Sequence, residues 1–155
     1  MDLYPLFEWL ESTTIALAVR DSLWLFPVIE CMHLLALSML GGSLLVVDLR
    51  LMGFGLKSQS VSHLARQAHP WMVGSLVMMI STGIPLFLSE TIKCYYSPPF
   101  WYKMGFLAIA TIFAFTVRRK VTAGEEKRLQ GALTAVVSLG LWFAVGFSGR
   151  WIAFY

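Results

Sequence analysis

From Leu23 to Leu51 the chain is almost unbroken apolar sequence, with LWLFPVIECMHLLALSMLGGSLLVV at its heart. About 25 such residues, at ~1.5 Å of rise each, reach across the ~30 Å hydrocarbon layer of a bilayer as a helix. Into this run the sequence sets one carboxylate, Glu30, and one imidazole, His33. Positions three apart share a helix face. Ionisable groups are costly in lipid and face a bundle interior, a partner or a pathway. The rest of the chain is therefore read as the wall around Glu30 and His33.

Composition agrees. Of the 155 residues, 57% are hydrophobic and only 14% charged, against roughly 25% charged in an average soluble domain. This predicts an all-α integral membrane four-helix bundle forming a single domain over residues 1–155. The net charge of +3 is small, and the basic residues follow the membrane boundaries, so no nucleic-acid surface is expected. The first residues, MDLYPLFEWLESTT, lack the basic and apolar regions of a cleavable signal, and the first span is expected to act as an uncleaved insertion signal. Cys31 and Cys94 lie too far apart in depth to bridge and fit no zinc or haem-attachment spacing. Cys94 reads as a free thiol or an intermolecular bridge.

Residues 3–19 read as one amphipathic helix at the membrane surface, and Ser22 can cap the next helix. Spans are expected at about 23–47, 70–88, 100–117 and 129–152. Asp48 and Arg50 end the first. For the second, His69 can cap a helix beginning at Pro70, or Pro70 kinks a longer helix starting near Val61. ETIKCYYSPPFWY reads as a loop, and RRKVTAGEEKR as a short charged loop. The fourth span is rich in Gly and Ala, and Gly146 and Gly149 are expected to face other helices.

Counting down from Ser22, His33 sits about 16 Å below the surface, with Glu30 one turn shallower. Arg150 reaches the depth of Glu30, so an ion pair Glu30–Arg150 is expected, as a structural tie or as tie and site together. His33 has two readings. It can donate to a carbonyl or a neighbouring helix, or it can ligate a metal or haem b. Met78 or Met79 lies near its depth if the second span starts near Val61. His69 lies at least ~12 Å away along the membrane normal, which strains a single haem held by both histidines of one chain. Met78, Met79 or His69, the last from the same or another subunit, is the expected partner of His33. Arg150 and Lys103 would face the haem propionates. The expected function is a membrane haem-b-binding electron-transfer protein, with two rivals: proton or metal-ion transport through Glu30 and His33, or a structural or assembly subunit. The expected partners are the lipid bilayer and either further copies of the chain or a redox partner protein. Nothing resembles a catalytic triad, a P-loop or a Rossmann fingerprint.

The pattern W-L-F-P-x-x-E-x-x-H from Trp24 to His33, with D-L-R-L-x-G from Asp48 to Gly53, is similar to a family of small bacterial inner-membrane proteins of unknown function. The resemblance covers most of the chain and implies a four-helix membrane fold. More distantly, a span with His followed by small residues looks like the cytochrome b561-type and copper-resistance D-type membrane proteins, of which the former bind haem b. That likeness carries over His33 alone. There is no His in the third or fourth span, which departs from a two-haem arrangement.

Orientation follows from Lys and Arg. Arg50, Lys57, Arg66, Arg118, Arg119, Lys120, Lys127 and Arg128 lie on the side of the one–two and three–four connections. Arg20, Lys93, Lys103 and Arg150 lie on the other. Eight against four places both termini outside, and Trp9, Trp24, Tyr95, Tyr96, Trp101, Tyr102, Trp151 and Tyr155 form an aromatic belt on that side. Reporters fused after Met52 and Lys120 should therefore read as cytoplasmic, and one after Tyr155 as periplasmic. A cytoplasmic C-terminus would invert every depth given above.

Overall fold

Four apolar helices, each long enough to cross a bilayer, account for most of the computed structural model, which describes residues 3–55, 58–124 and 128–154. Among these residues there is no strand. Lys57, Lys127 and Tyr155, counted above for charge and aromatic placement, lie outside the described residues.

The amphipathic stretch at the start is not one helix but two, α1 (Tyr4–Glu11) and α2 (Thr14–Asp21). Ser12 and Thr13 break it. Their hydroxyls donate to the carbonyls of Trp9 and Leu10, both at 2.7 Å, and Thr13 Oγ1 then accepts from Ala16 N at 3.4 Å as the cap of α2. The first span, α3 (Leu25–Leu51), runs one turn further than expected. Ser22 Oγ accepts from the backbone of Leu25 at 3.1 Å. The helix stops at Gly53 (φ +87°), where Gly53 N donates to Arg50 O and Phe54 N to Leu49 O. That pair of bonds is a Schellman ending, which needs a left-handed residue at this position.

The second span is α4 (Val61–Ser89), 29 residues through both Pro70 and Pro85. Ser60 caps it by accepting from His63 N at 3.3 Å. His69 is therefore inside a helix and is not a cap. A Pro in a long membrane helix is tolerated where neighbouring helices support it. The expected loop before the third span contains α5 (Thr91–Tyr96). The third span begins as α6 (Pro98–Phe113), with Pro at its first positions. It passes through a single π turn, Ala114–Arg118, into α7 (Arg119–Ala123), so the first part of the expected charged loop is helical. The fourth is α8 (Arg128–Trp151), ending in a 3₁₀ turn, Ile152–Phe154.

On the side of the termini, α1 and α2 pack against α5 and the end of α4. Glu11 joins them: its Oε1 pairs with Arg20 at 3.0 Å, and its Oε2 accepts from Ile92 N at 2.9 Å, filling an orphan donor at the start of α5. Phe7 meets Phe87 and Tyr95 edge to face. The core between α3 and α4 is a dry layer of Ala36, Leu40, Leu44, Met72, Leu76 and Met79. The large apolar residues left exposed, such as Leu34, Ile84, Ile112 and Phe143, suit a lipid surround. Gly131 lets α8 approach Leu51, where an added Cβ would meet Leu51 O at 3.3 Å, and Gly149 lies against the Lys103 side chain. Gly146, expected to do the same, has open space around it.

Towards the opposite side the bundle is closed by an ion pair. Asp48 of α3 is fully buried, and Arg118, the last residue of the π turn, nearly so. Arg118 Nε donates to Asp48 Oδ1 at 2.8 Å, and Ser138 of α8 donates to Asp48 Oδ2 at 2.6 Å. Three spans are thereby fastened at one carboxylate. Breaking a buried pair strands a charge and costs about 3–5 kcal/mol. Asp48→Leu should therefore lower thermal stability sharply in detergent, while the double variant Asp48→Leu/Arg118→Leu should recover most of it. Equal stability of the single variant and the parent would mean that the pair does not hold the spans.

Candidate functional site

His33 sits half-buried in the seam of α3 and α4, and α4 leaves room for its ring. A Cβ at Gly83 would lie 3.3 Å from His33 Cε1, so a side chain there would press on the imidazole. His33 Nδ1 is 2.9 Å from Thr82 Oγ1. The Thr82 hydroxyl has one proton and three acceptors in reach: Met78 O at 2.7 Å, Nδ1 at 2.9 Å and Met79 O at 3.3 Å. With the proton on the nearest, Met78 O, the oxygen accepts from the ring and Nδ1 carries the ring hydrogen. The carbonyl of Met79 lies on the same side of the ring. In the neutral imidazole this leaves the lone pair on Nε2, which has no hydrogen-bond partner among the described residues. A hydrogen bond at one ring nitrogen that frees the other is the arrangement that orients a ligating histidine.

Lys103 comes to the same region from α6. Its arm crosses Gly149 of α8, where an added Cβ would be 3.5 Å from Nζ. His33 lies within electrostatic reach of this ammonium, which has neither an ion pair nor a hydrogen bond among the described residues. All four membrane helices thus meet here: α3 brings His33, α4 Thr82 and Gly83, α6 Lys103, and α8 Gly149. What gathers is a donor lone pair beside an unpaired cation.

The other expected residues are placed differently. Met79 is buried in the apolar layer and Met78 packs against its edge. His69 is exposed on α4, beside Phe115. Thirteen residues of helix, roughly 20 Å, separate it from Thr82, so one chain does not bring His33 and His69 together. Glu30 and Arg150 are both exposed and form no pair with each other; the Arg150 guanidinium lies over the Phe154 ring, 5.5 Å from its centre. Among the described residues no three His, Cys, Asp or Glu side chains gather as a metal cluster.

Cys94 is a buried free thiol. Burial, with Glu90 adding to it, pushes its pKa up to about 11. A sealed, protonated thiol is inert, which suits the free thiol, one of the two readings of Cys94 from the sequence.

Asp48 and Arg118 were expected only at the boundaries of spans, as an end and a loop. The helical period holds the missed signal: Asp48 stands four residues after Leu44 and three before Leu51, on the face those two residues bury. For Arg118 the same kind of signal is present: it stands four residues after Ala114 and eight after Ala110, both buried, with the π turn Ala114–Arg118 keeping that spacing on one face.

No curated protein and no solved structure matches the chain, so the likeness to b561-type and copper-resistance D-type proteins rests on sequence pattern alone. A match running from residue 6 to residue 155 shows that the chain belongs to a family of unknown function, DUF6644.

Proposed function

We propose that this protein is a haem-b-binding electron-transfer protein of the bacterial inner membrane, with both termini outside. The observation that supports this most is the pairing at His33: an imidazole held by Thr82 through Nδ1, with its Nε2 lone pair free, next to an ammonium that has no acidic partner. The donor chemistry suits the group: Nε2 of His33 would ligate the iron, and Lys103 would face a propionate. Arg150, exposed at the same end of the bundle, is a second cation for the other propionate. When bound, the haem would supply one-electron redox chemistry.

The chain's own residues do the positioning. Thr82 fixes the ring hydrogen and the ring direction, and Gly83 leaves the imidazole its place. Met79 is buried in the core, whereas Met78 stands half-buried at its edge, so the second axial ligand would be Met78, or His69 of another copy.

A second reading, proton or metal-ion transport, is favoured by one further observation. Asp48, to which Ser138 is bonded, and Arg118 put ionisable groups inside the bundle on the side opposite His33, and such groups mark pathways in membrane proteins.

Protein purified in mild detergent from a haem-sufficient host should show a Soret band, and His33→Ala should abolish it. Thr82→Val, which removes the partner of Nδ1, should weaken haem retention by about 10–100-fold without loss of fold. A colourless parent protein would overturn the haem reading. Proton or metal-ion flux in liposomes that falls with Asp48→Asn would then carry the second.

A further inference from the structure

On the side of the α3–α4 and α7–α8 connections, a small cleft opens between α4 and the π turn with α7. It encloses about 30 Å³, and its polar lining includes His69, Arg118 and Arg119. Ala65, Ala68 and Ala114 keep it open.

Arg118 is the reason to ask what enters. A guanidinium has five N–H donors. Here one makes a short bond, Nε to Asp48 Oδ1 at 2.8 Å. Nη1 reaches only the sulfur of Met72 at 3.8 Å, and Nη2 the carbonyl of Leu44 at 3.5 Å. A nearly fully buried cation therefore keeps donor capacity that the protein does not fill, and buried donors are normally filled. Asp48, in contact through Nε, is the carboxylate nearest to it among the described residues. On the cleft side the charged and titratable groups are Arg119 and His69, and neither has a hydrogen bond or ion pair among the described residues. A π turn also marks functional positions more often than chance.

The level of the cleft points to the source of the ligand. At ~1.5 Å per residue, α4 is about 43 Å long and overruns a ~30 Å hydrocarbon layer. Its first turns therefore stand among the headgroups, and Trp71, exposed two residues after His69, is placed as an interfacial anchor. The enclosed volume is about that of one water in the liquid. It holds one oxygen of a larger anion while the rest stays at the mouth. Basic pockets between membrane helices bind anionic headgroups in this way. We propose that this cleft binds the phosphate of an anionic phospholipid, with one oxygen reaching Arg118 and the remainder held by Arg119 and His69. The site is independent of His33 and shares only His69 with the haem reading, where that residue of another copy is one choice of second ligand.

The full-length protein in mild detergent would be titrated with phosphatidylglycerol and, separately, with phosphatidylcholine. Binding is read by native mass spectrometry and by thermal shift. Phosphatidylglycerol should be retained in preference and should raise Tm. Arg119→Gln, at an exposed position outside the ion pair, should weaken retention about fivefold, and Arg119→Lys should restore most of it. His69→Gln should weaken it further in combination. Equal retention of phosphatidylcholine, or full retention by the Arg119→Gln/His69→Gln double variant, would overturn the proposal. So would inorganic phosphate alone producing the same rise in Tm and displacing the lipid, because the source would then be a soluble anion.

Discussion

The Asp48–Arg118 pair sets the terms for everything else in this bundle. A carboxylate and a guanidinium, both buried in a membrane protein, are tolerable only together and only with good geometry. The 2.8 Å contact and the 2.6 Å bond from Ser138 supply that geometry. They also dictate where three spans stand relative to one another, because α3, the π turn and α8 each contribute one group. Apolar packing in lipid cannot give that register, since lipid tails are as apolar as the leucines that face them. The pair therefore explains why the third span departs from a regular helix at this depth. A π turn inserts a residue, and here it ends on the residue that faces Asp48.

With α3, α4, the third span and α8 held at one end, the other end is free to be specialised. There the helices meet over two glycines, Gly83 and Gly149, whose missing side chains leave room for an imidazole and a lysine arm. The two ends are unlike in chemistry. One is a closed, charge-balanced knot. The other presents a lone pair and an unpaired ammonium. About 15 residues of α3, or roughly 22 Å, lie between His33 and Asp48. Leu40, Leu44, Leu76 and Met79 fill much of that interval, and the hydroxyls of Ser43 and Ser75 within it donate to carbonyls of their own helices.

Much of the fold was legible in the sequence because its cause is local. Runs of apolar residues long enough to cross a bilayer must be helices, and four such runs are present. Boundaries were less legible where two rules compete. Pro70 reads either as a helix start or as a break inside a longer helix from near Val61, and α4 takes the second course, since neighbouring helices support it. Arg118 to Val121 read as a loop because charge suggests water, whereas Arg118 finds its counter-ion 70 positions away. The site was legible in part. His33 stood out as an imidazole in a span, but its tautomer depends on the hydroxyl of Thr82, 49 positions on. Glu30 stood out for the same reason as His33 and ends on the exposed surface: three residues turn the helix by about 300°, and the remaining ~60° between the two side chains sets Glu30 outside the seam that half-buries His33.

The dry layer between the two ends bears on how their roles divide. A proton or ion moving from one side to the other needs polar stepping stones, and between His33 and Asp48 the seam of α3 and α4 is largely leucine and methionine, with the hydroxyls of Ser43 and Ser75 turned back onto carbonyls of their own helices. An electron has no such need, since it does not travel along hydrogen bonds. A cofactor at His33 can therefore work on its own side of the layer while Asp48, Arg118 and Ser138 remain a fixed lock on the other. Transport would demand that the layer open and admit water, which means separating Leu40 and Leu44 of α3 from Leu76 and Met79 of α4. Those helices are held at both ends of that contact, by His33 on Thr82 at one and by the Asp48 knot, through Arg118 against Met72, at the other. The arrangement of ties thus favours a bundle that keeps its interior shut and does its chemistry at one end.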